Sequence, residues 1–226
     1  MFELQLNINP TREHRVLCLG AHCDDIEIGC GGTILKLATV HQNLHICWVV
    51  FSSSSERERE ARDSATAFLA EVVRKTVVIH ALRDGYLPYL GGEVKDRFEQ
   101  IKHEFSPDVI FTHYRHDLHQ DHRLISELTW NTFRNHFILE YEIPKYDGDF
   151  GSPNVFVSLD ENISEKKISL ALRYFKTQQG RRWFSHDLFT AMLRLRGMEA
   201  NTPTGYAEAF YCRKLLLGLG ERDRDR

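Results

Sequence analysis

The sequence predicts an α/β protein: a mostly parallel sheet flanked by helices, followed by a smaller extension of mixed strands and helices. Short apolar runs rich in β-branched residues alternate with longer segments of helical periodicity. The alternation repeats four times between about residues 15 and 136, and the pattern changes character from about 137 to 226. Serial strand–helix units of this kind require right-handed crossovers and therefore a parallel sheet with helices on both faces.

RVLCLGA at 15–21 reads as a buried strand and GGTILKLATV at 31–40 as the helix after it. LHICWVVFS at 44–52 is a second strand, and EARDSATAFLAEVV at 60–73 a second helix. TVVIHAL at 76–82 leads through the turn-rich loop 83–92 into a helix at 94–105, which Ser106-Pro107 ends. DVIFTHY at 108–114 is the fourth strand, the polar loop 115–122 follows, and a helix spans 123–137. Strands at 137–144 and 154–160, helices at 164–179 and 186–197, and a strand at 206–217 make up the extension. No linker or repeat interrupts the chain, so 1–226 is expected to form a single domain with a Rossmann-like core.

Composition narrows the function. A chain of 226 residues with 42% hydrophobic and 27% charged residues can bury a substantial core. The net charge of -3, without a block of like charge, argues against electrostatic nucleic-acid binding. No stretch approaches the roughly 18 apolar residues of a membrane span, and MFELQLNINP lacks the features of a signal peptide, so a cytoplasmic location is expected. The five cysteines, mostly within apolar runs, read as buried thiols.

Reactive residues gather at two strand ends. In GAHCDDIEIGCGG, residues 20–32, His22, Asp24 and Asp25 follow the first strand; His113, His116, His119, Asp121 and His122 lie at and past the end of the fourth. In a 3-2-1-4-5 sheet these strands are neighbours at the switch point, where ligands collect. Imidazole and carboxylate are zinc ligands, and a bound divalent cation would let the adjacent aspartates stay ionised. One carboxylate would suffice for the metal, leaving the other to act on a water.

AHCDDIEIGCGG resembles the AHPDDEELGCGG signature of the PIG-L/LmbE family of N-deacetylases, and DLHQDHR resembles that family's D-x-H-P-D-H motif. DGYL at 84–87 and the YFKTQ and YAEAF segments match more loosely, so the resemblance runs from about residue 15 to about residue 212. It implies that His22, Asp25 and His122 hold a zinc ion and that Asp24 is the general base. It further implies that His119 stabilises the oxyanion or protonates the departing amine, with Asp121 orienting His119. The implied substrate is a small N-acetylated amino sugar or sugar conjugate. Fe2+ fits the same donors as zinc, and the sequence leaves a homo-oligomer open.

Cys23 replaces the family's proline and reads as a small buried residue, and Ile26 stands where the family often has glutamate, while Glu27 is retained. GCGG at 29–32 lacks the G-x-G-x-x-G spacing of a dinucleotide site, and FSSSS occupies the place of the ribose-binding acid, so the glycines read as packing. His113 and His116 are expected to line a pocket; SSERERE at 54–60 reads as a solvated first helical turn, with Arg57 or Arg59 reaching a phosphate or sugar hydroxyl of the substrate as its alternative. Trp183 reads as packing, with stacking on a sugar ring as its alternative. The alternative for the whole chain is a non-catalytic metal- or nucleotide-binding module.

Overall fold

The computed structural model describes residues 12–217 and Glu3; the remainder of the expected 1–226 domain lies outside the described residues. In chain order the elements are β1 (His14–Gly20), α1 (Asp25–Val40), β2 (Leu44–Ser52), α2 (Ser55–Phe68), β3 (Arg74–Leu82), α3 (Gly91–Glu104) and β4 (Val109–His113). They continue with α4 (Gln120–Thr132), β5 (Phe137–Tyr141), β6 (Val155–Leu159), α5 (Glu161–Tyr174), α6 (His186–Glu199) and β7 (Tyr206–Tyr211). One sheet orders them β3-β2-β1-β4-β5-β7-β6. The first five pair in parallel, and β7 runs antiparallel to both β5 and β6. The expected 3-2-1-4-5 core is present, and the strands of the extension prolong the same sheet.

Strand alternation sends residues to two cores. Val16, Cys18, Ile46, Trp48 and Val50 face a cluster with α1, α2, α5 and α6, while Leu17, Leu19, Cys47, Val49 and Phe51 face one with α3 and α4. Leu17 and Leu19 are at 0% exposure, and burial at this level is worth about 2–3 kcal/mol per side chain. No helix among the described residues is long and apolar enough to cross a membrane.

Two helices begin earlier than their apolar periodicity suggests. α1 starts at Asp25 rather than 31, and α4 at Gln120 rather than 123, which puts Asp25, Asp121 and His122 on first helical turns. The glycines of α1 explain the first difference. A Cβ at Gly29 would collide with the Tyr141 ring, and one at Gly32 would meet Leu159 Cδ1 at 2.5 Å and Glu208 Oε1 at 3.0 Å. Through the space at Gly32, Glu208 of β7 accepts from the backbone N–H groups of Gly32 and Thr33 at 2.8 and 2.6 Å. Lys167 of α5 donates to the same carboxylate at 2.6 Å and to Ile28 O at 2.7 Å, fixing the helix against the sheet. Since these glycines are covered by Tyr141, Leu159 and Glu208, they present no cradle for a nucleotide.

Candidate metal centre

The site forms where β1 and β4 end side by side. After β1 the chain turns through His22, whose backbone N–H donates to Asp25 Oδ2 at 2.6 Å. After β4 it turns through Asp117, and His119 caps α4 by accepting at Nδ1 from Asp121 N–H at 3.3 Å. Two loops nearly a hundred residues apart thus meet: His22 Nδ1 lies 3.0 Å from His122 Nε2 and 3.4 Å from Asp25 Oδ2, and His122 Nε2 lies 3.6 Å from Asp25 Oδ1. All three residues are buried.

The partners behind each ring determine which nitrogens face inward as lone pairs. His122 Nδ1 donates to Asp117 Oδ2 at 2.9 Å, which leaves Nε2 bare. His22 Nε2 faces Asp121 Oδ2 at 3.2 Å and Asp84 Oδ1 at 3.1 Å; donating there leaves Nδ1 bare. Two lone pairs and a carboxylate then converge, an arrangement that only a cation or a proton satisfies. With one Asp25 oxygen toward each ring, the separations of 3.0 to 3.6 Å lie near the about 3.3 Å between donors around a tetrahedral ion with bonds of about 2.0–2.1 Å, and His22 with His119 and His122, and Asp25 with His113 and His122, also cluster closely enough to hold an ion. The donor set therefore fits a divalent metal.

The electrostatics of the metal-free site agree. Burial opposes a charge on His22, but Asp25, Asp121 and Asp84 outweigh it and hold the imidazole well above its ordinary range, so a proton takes the cation's place there. Burial and the neighbouring His113 push His122 down to about 3, against Asp25 and Asp117. Asp25 is held well below the usual carboxylate range because His122, His113 and His22 together overcome the cost of burying it.

Asp24, next to Asp25 in the chain, makes its hydrogen bond outside the three donors. Arg57, in the first turn of α2, donates to Asp24 Oδ1 at 2.6 Å, while Oδ2 is buried without a hydrogen-bond partner. Burial raises the Asp24 pKa, with Asp25 adding to it and Arg57 opposing. Glu27 points to α2 and accepts from Ser64 Oγ at 2.6 Å. Cys23 is no donor to the cluster: its Sγ reaches Ser52 O at 3.5 Å, and burial pushes the thiol up to about 12.

The expected residues are brought together, but Asp121 is placed differently from the resemblance. Its carboxylate accepts from Gly85 N–H at 2.8 Å and Leu87 N–H at 3.1 Å and faces His22, so only its backbone amide touches His119. It anchors the DGYL loop against His22. The His119 ring stands 4.8 Å from that of His22 and 4.6 Å from that of His122. Burial and the charge of His22 hold its pKa below the ordinary value, despite Asp121.

His113, expected to line a pocket, is instead fully buried. Its ring stacks on His122 with centroids 3.9 Å apart, and its Nε2 accepts from Ala21 N–H at 2.9 Å, beside Asp25 Oδ2 at 3.1 Å. The exposed His116 sits edge-on to Tyr114, and Trp183 packs edge-on to Phe184 at the rim of the larger core. Asp117, Asp84 and Lys145 were not singled out by sequence reasoning. Asp117 and Asp84 each left a signal, one as the carboxylate at the head of DLHQDH, just before the helix that carries His122, the other as the first residue of DGYL.

Fold and site together define an α/β protein with a candidate metal centre of His and Asp donors at its switch point. Residues 17–133, just over half of the chain, match the family described as "PIG-L: GlcNAc-PI de-N-acetylase", and the chain belongs to that family of N-deacetylases. An Escherichia coli (strain K12) protein described as "Uncharacterized deacetylase YaiS" is 27% identical over 174 residues, covering 72% of this chain and 90% of YaiS. The N,N'-diacetylchitobiose deacetylase from Pyrococcus horikoshii shares the fold with a TM-score of 0.68 at 21% identity, covering 88% of this chain and 83% of its own. GalB, the 4-carboxy-2-hydroxymuconate hydratase from Pseudomonas putida KT2440, does so with a TM-score of 0.70 at 16% identity, covering 92% and 99%. The fold is thus shared with a hydratase, and the reaction has to be argued from the site.

Proposed function

We propose that this chain is a zinc-dependent hydrolase that removes the acetyl group from an N-acetylated amino sugar or sugar conjugate, releasing acetate and a free amine. The observation that carries the metal reading is the pair of inward lone pairs on His22 Nδ1 and His122 Nε2, 3.0 Å apart, with Asp25 beside both. Bound by these residues, the ion supplies Lewis acidity: it polarises the amide carbonyl and brings the pKa of water toward neutrality.

The protein's own groups move the protons. Asp24 takes the proton from the attacking water through Oδ2, the oxygen that Arg57 leaves free. His119, beside both ligand histidines and with Nδ1 accepting from Asp121 N–H, offers its Nε2–H to the developing oxyanion, and the proton that Asp24 took from the water passes to the departing amine nitrogen. Asp121 ties the loop at 84–87 to the ring of His22. Family membership supports the amide reaction, and the chitobiose deacetylase supports a sugar as substrate. The buried free thiols of Cys18, Cys23, Cys30 and Cys47 suit a reducing cytoplasm.

The test is metal analysis of purified protein followed by a screen for acetate release from a panel of N-acetyl sugar conjugates. One zinc ion per chain and release from at least one conjugate are expected. A zinc-loaded protein that leaves the whole panel intact would overturn the substrate assignment, and a protein that takes up no divalent ion would overturn the metal.

A further inference from the structure

The loop after β5 brings a buried ammonium to the back of the metal centre. Lys145 Nζ lies 2.9 Å from Asp117 Oδ2, the oxygen that also accepts from His122 Nδ1 at 2.9 Å. The side chain of Lys145 is only 10% exposed, and its other partners are Asp149 Oδ2 at 2.5 Å and Ile143 O at 3.5 Å. Asp117 uses its second oxygen to accept from His119 N–H at 2.7 Å, so one carboxylate fixes the backbone of His119 and the ring of His122.

The loop is held shut independently of Lys145. Glu142, at its start, accepts from Arg196 at 2.7 and 2.9 Å and from Gly151 N–H at 3.2 Å, while Arg196 also donates to Gly151 O at 3.3 Å. At the far side, Asp149 accepts from Leu118 N–H at 2.7 Å, beside Asp117. The backbone that presents Lys145 is therefore ordered by the Glu142–Arg196–Gly151 contacts, in which Lys145 takes no part.

We infer that Lys145 is a positioning residue for the metal centre: by pinning Asp117 Oδ2 it fixes the tautomer and orientation of His122 and so strengthens metal binding. A metal-ligating imidazole depends on the group that receives its other N–H, and disturbing that group typically weakens metal binding on the order of 10- to 100-fold. Without Lys145, Asp117 and Asp149 lose the charge between them and repel, and the carboxylate can rotate away from the ring.

The inference rests on the metal reading above, and the experiment separates the two. Metal-free wild type, K145M, K145R, D149N, D117N and K145M/D117N are titrated with zinc against a chromophoric chelator. K145M is expected to bind on the order of 10- to 100-fold more weakly, K145R to recover most of the loss, and D149N to stay close to wild type. K145M is also expected to have no further effect in the D117N background, a pattern that a general role in loop stability would not give. Should circular dichroism show K145M unfolded, K145Q replaces it with the same expected loss. Wild-type affinity in the Lys145 variant, an equal loss in D149N, or an additive loss in the double variant would overturn the inference. Absence of zinc binding by wild type overturns the metal reading itself.

Discussion

Arg57 places its guanidinium 2.6 Å from Asp24 Oδ1 and leaves Oδ2 buried and unpartnered. The two residues come from different strand–helix units: Asp24 precedes α1, and Arg57 lies in the first turn of α2, which Ser54 caps by accepting from Arg57 N–H. A bidentate grip would have occupied both oxygens; this one orients the carboxylate and keeps one lone-pair site available.

Arg57→Ala is therefore expected to lower kcat about a hundredfold by releasing the orientation of Asp24, a typical consequence of misplacing a reacting group by about 1 Å. Zinc content should stay at the wild-type level, because Arg57 touches none of the three donors. Steady-state acetate release and metal analysis of the same preparation check both parts. A loss of metal, or an unchanged kcat, would refute the assignment.

Asp24 and His122 should separate cleanly. Asp24→Asn keeps the shape of the side chain and removes its basicity, so turnover is expected to fall by about 10²- to 10⁴-fold with zinc retained. His122→Ala removes an inward lone pair and should lose zinc and activity together. Equal activity in either variant would remove that residue from the reaction.

How much of this was legible in the sequence depends on how local each interaction is. The strand–helix alternation and the pairing of β1 with β4 follow from apolar patterning and crossover handedness, so the sequence alone brings His22 and His122 to one strand-end crevice. The starts of α1 and α4 could not be read in this way, because the first turn of α1 runs into the glycines at 29, 31 and 32, and that of α4, Gln120 to Arg123, carries no apolar residue. The glycine-rich turn of α1 is held by tertiary covers, Tyr141 over Gly29 and Glu208 on Gly32. Asp121 was legible as a site residue but not in its bonding, since its partners Gly85 and Leu87 lie in another loop. Lys145 and Arg196 left no signal, because a single cation in a turn-rich or amphipathic segment reads as surface until the acids that bury it are placed.

Gly29→Ala tests whether the glycine cluster serves packing. The added methyl would collide with the Tyr141 ring, which is fully buried and whose hydroxyl donates to Leu19 O at 2.6 Å, so the ring has little freedom to yield. Overpacking of this kind should cost about 3 kcal/mol. Gly92→Ala, in α3 with nothing within 4 Å of the new methyl, should instead be neutral or stabilise by up to about 1 kcal/mol. Denaturant midpoints of the two variants give the comparison, and similar shifts in both would show that helix propensity, not the Tyr141 contact, governs the position.

The pH dependence of stability should differ in sign on the two sides of neutrality and should report the metal. His122 falls from its ordinary 6.5 to about 3 in the folded protein, through burial and His113. Between about 3 and 6.5 the unfolded chain binds a proton there that the folded chain refuses, so the metal-free protein loses stability as pH falls through that window. His22 moves the other way: Asp25, Asp121 and Asp84 raise it well above 6.5 against the effect of burial. Its contribution is fully present below 6.5 and is lost as pH rises through the raised value. Zinc takes the place of the His22 proton, so loading should abolish the alkaline decline. Melting temperatures of metal-free and zinc-loaded protein over roughly pH 5–9 are expected to diverge progressively above neutrality. Parallel curves there would mean that the proton on His22 and the metal do not share one site.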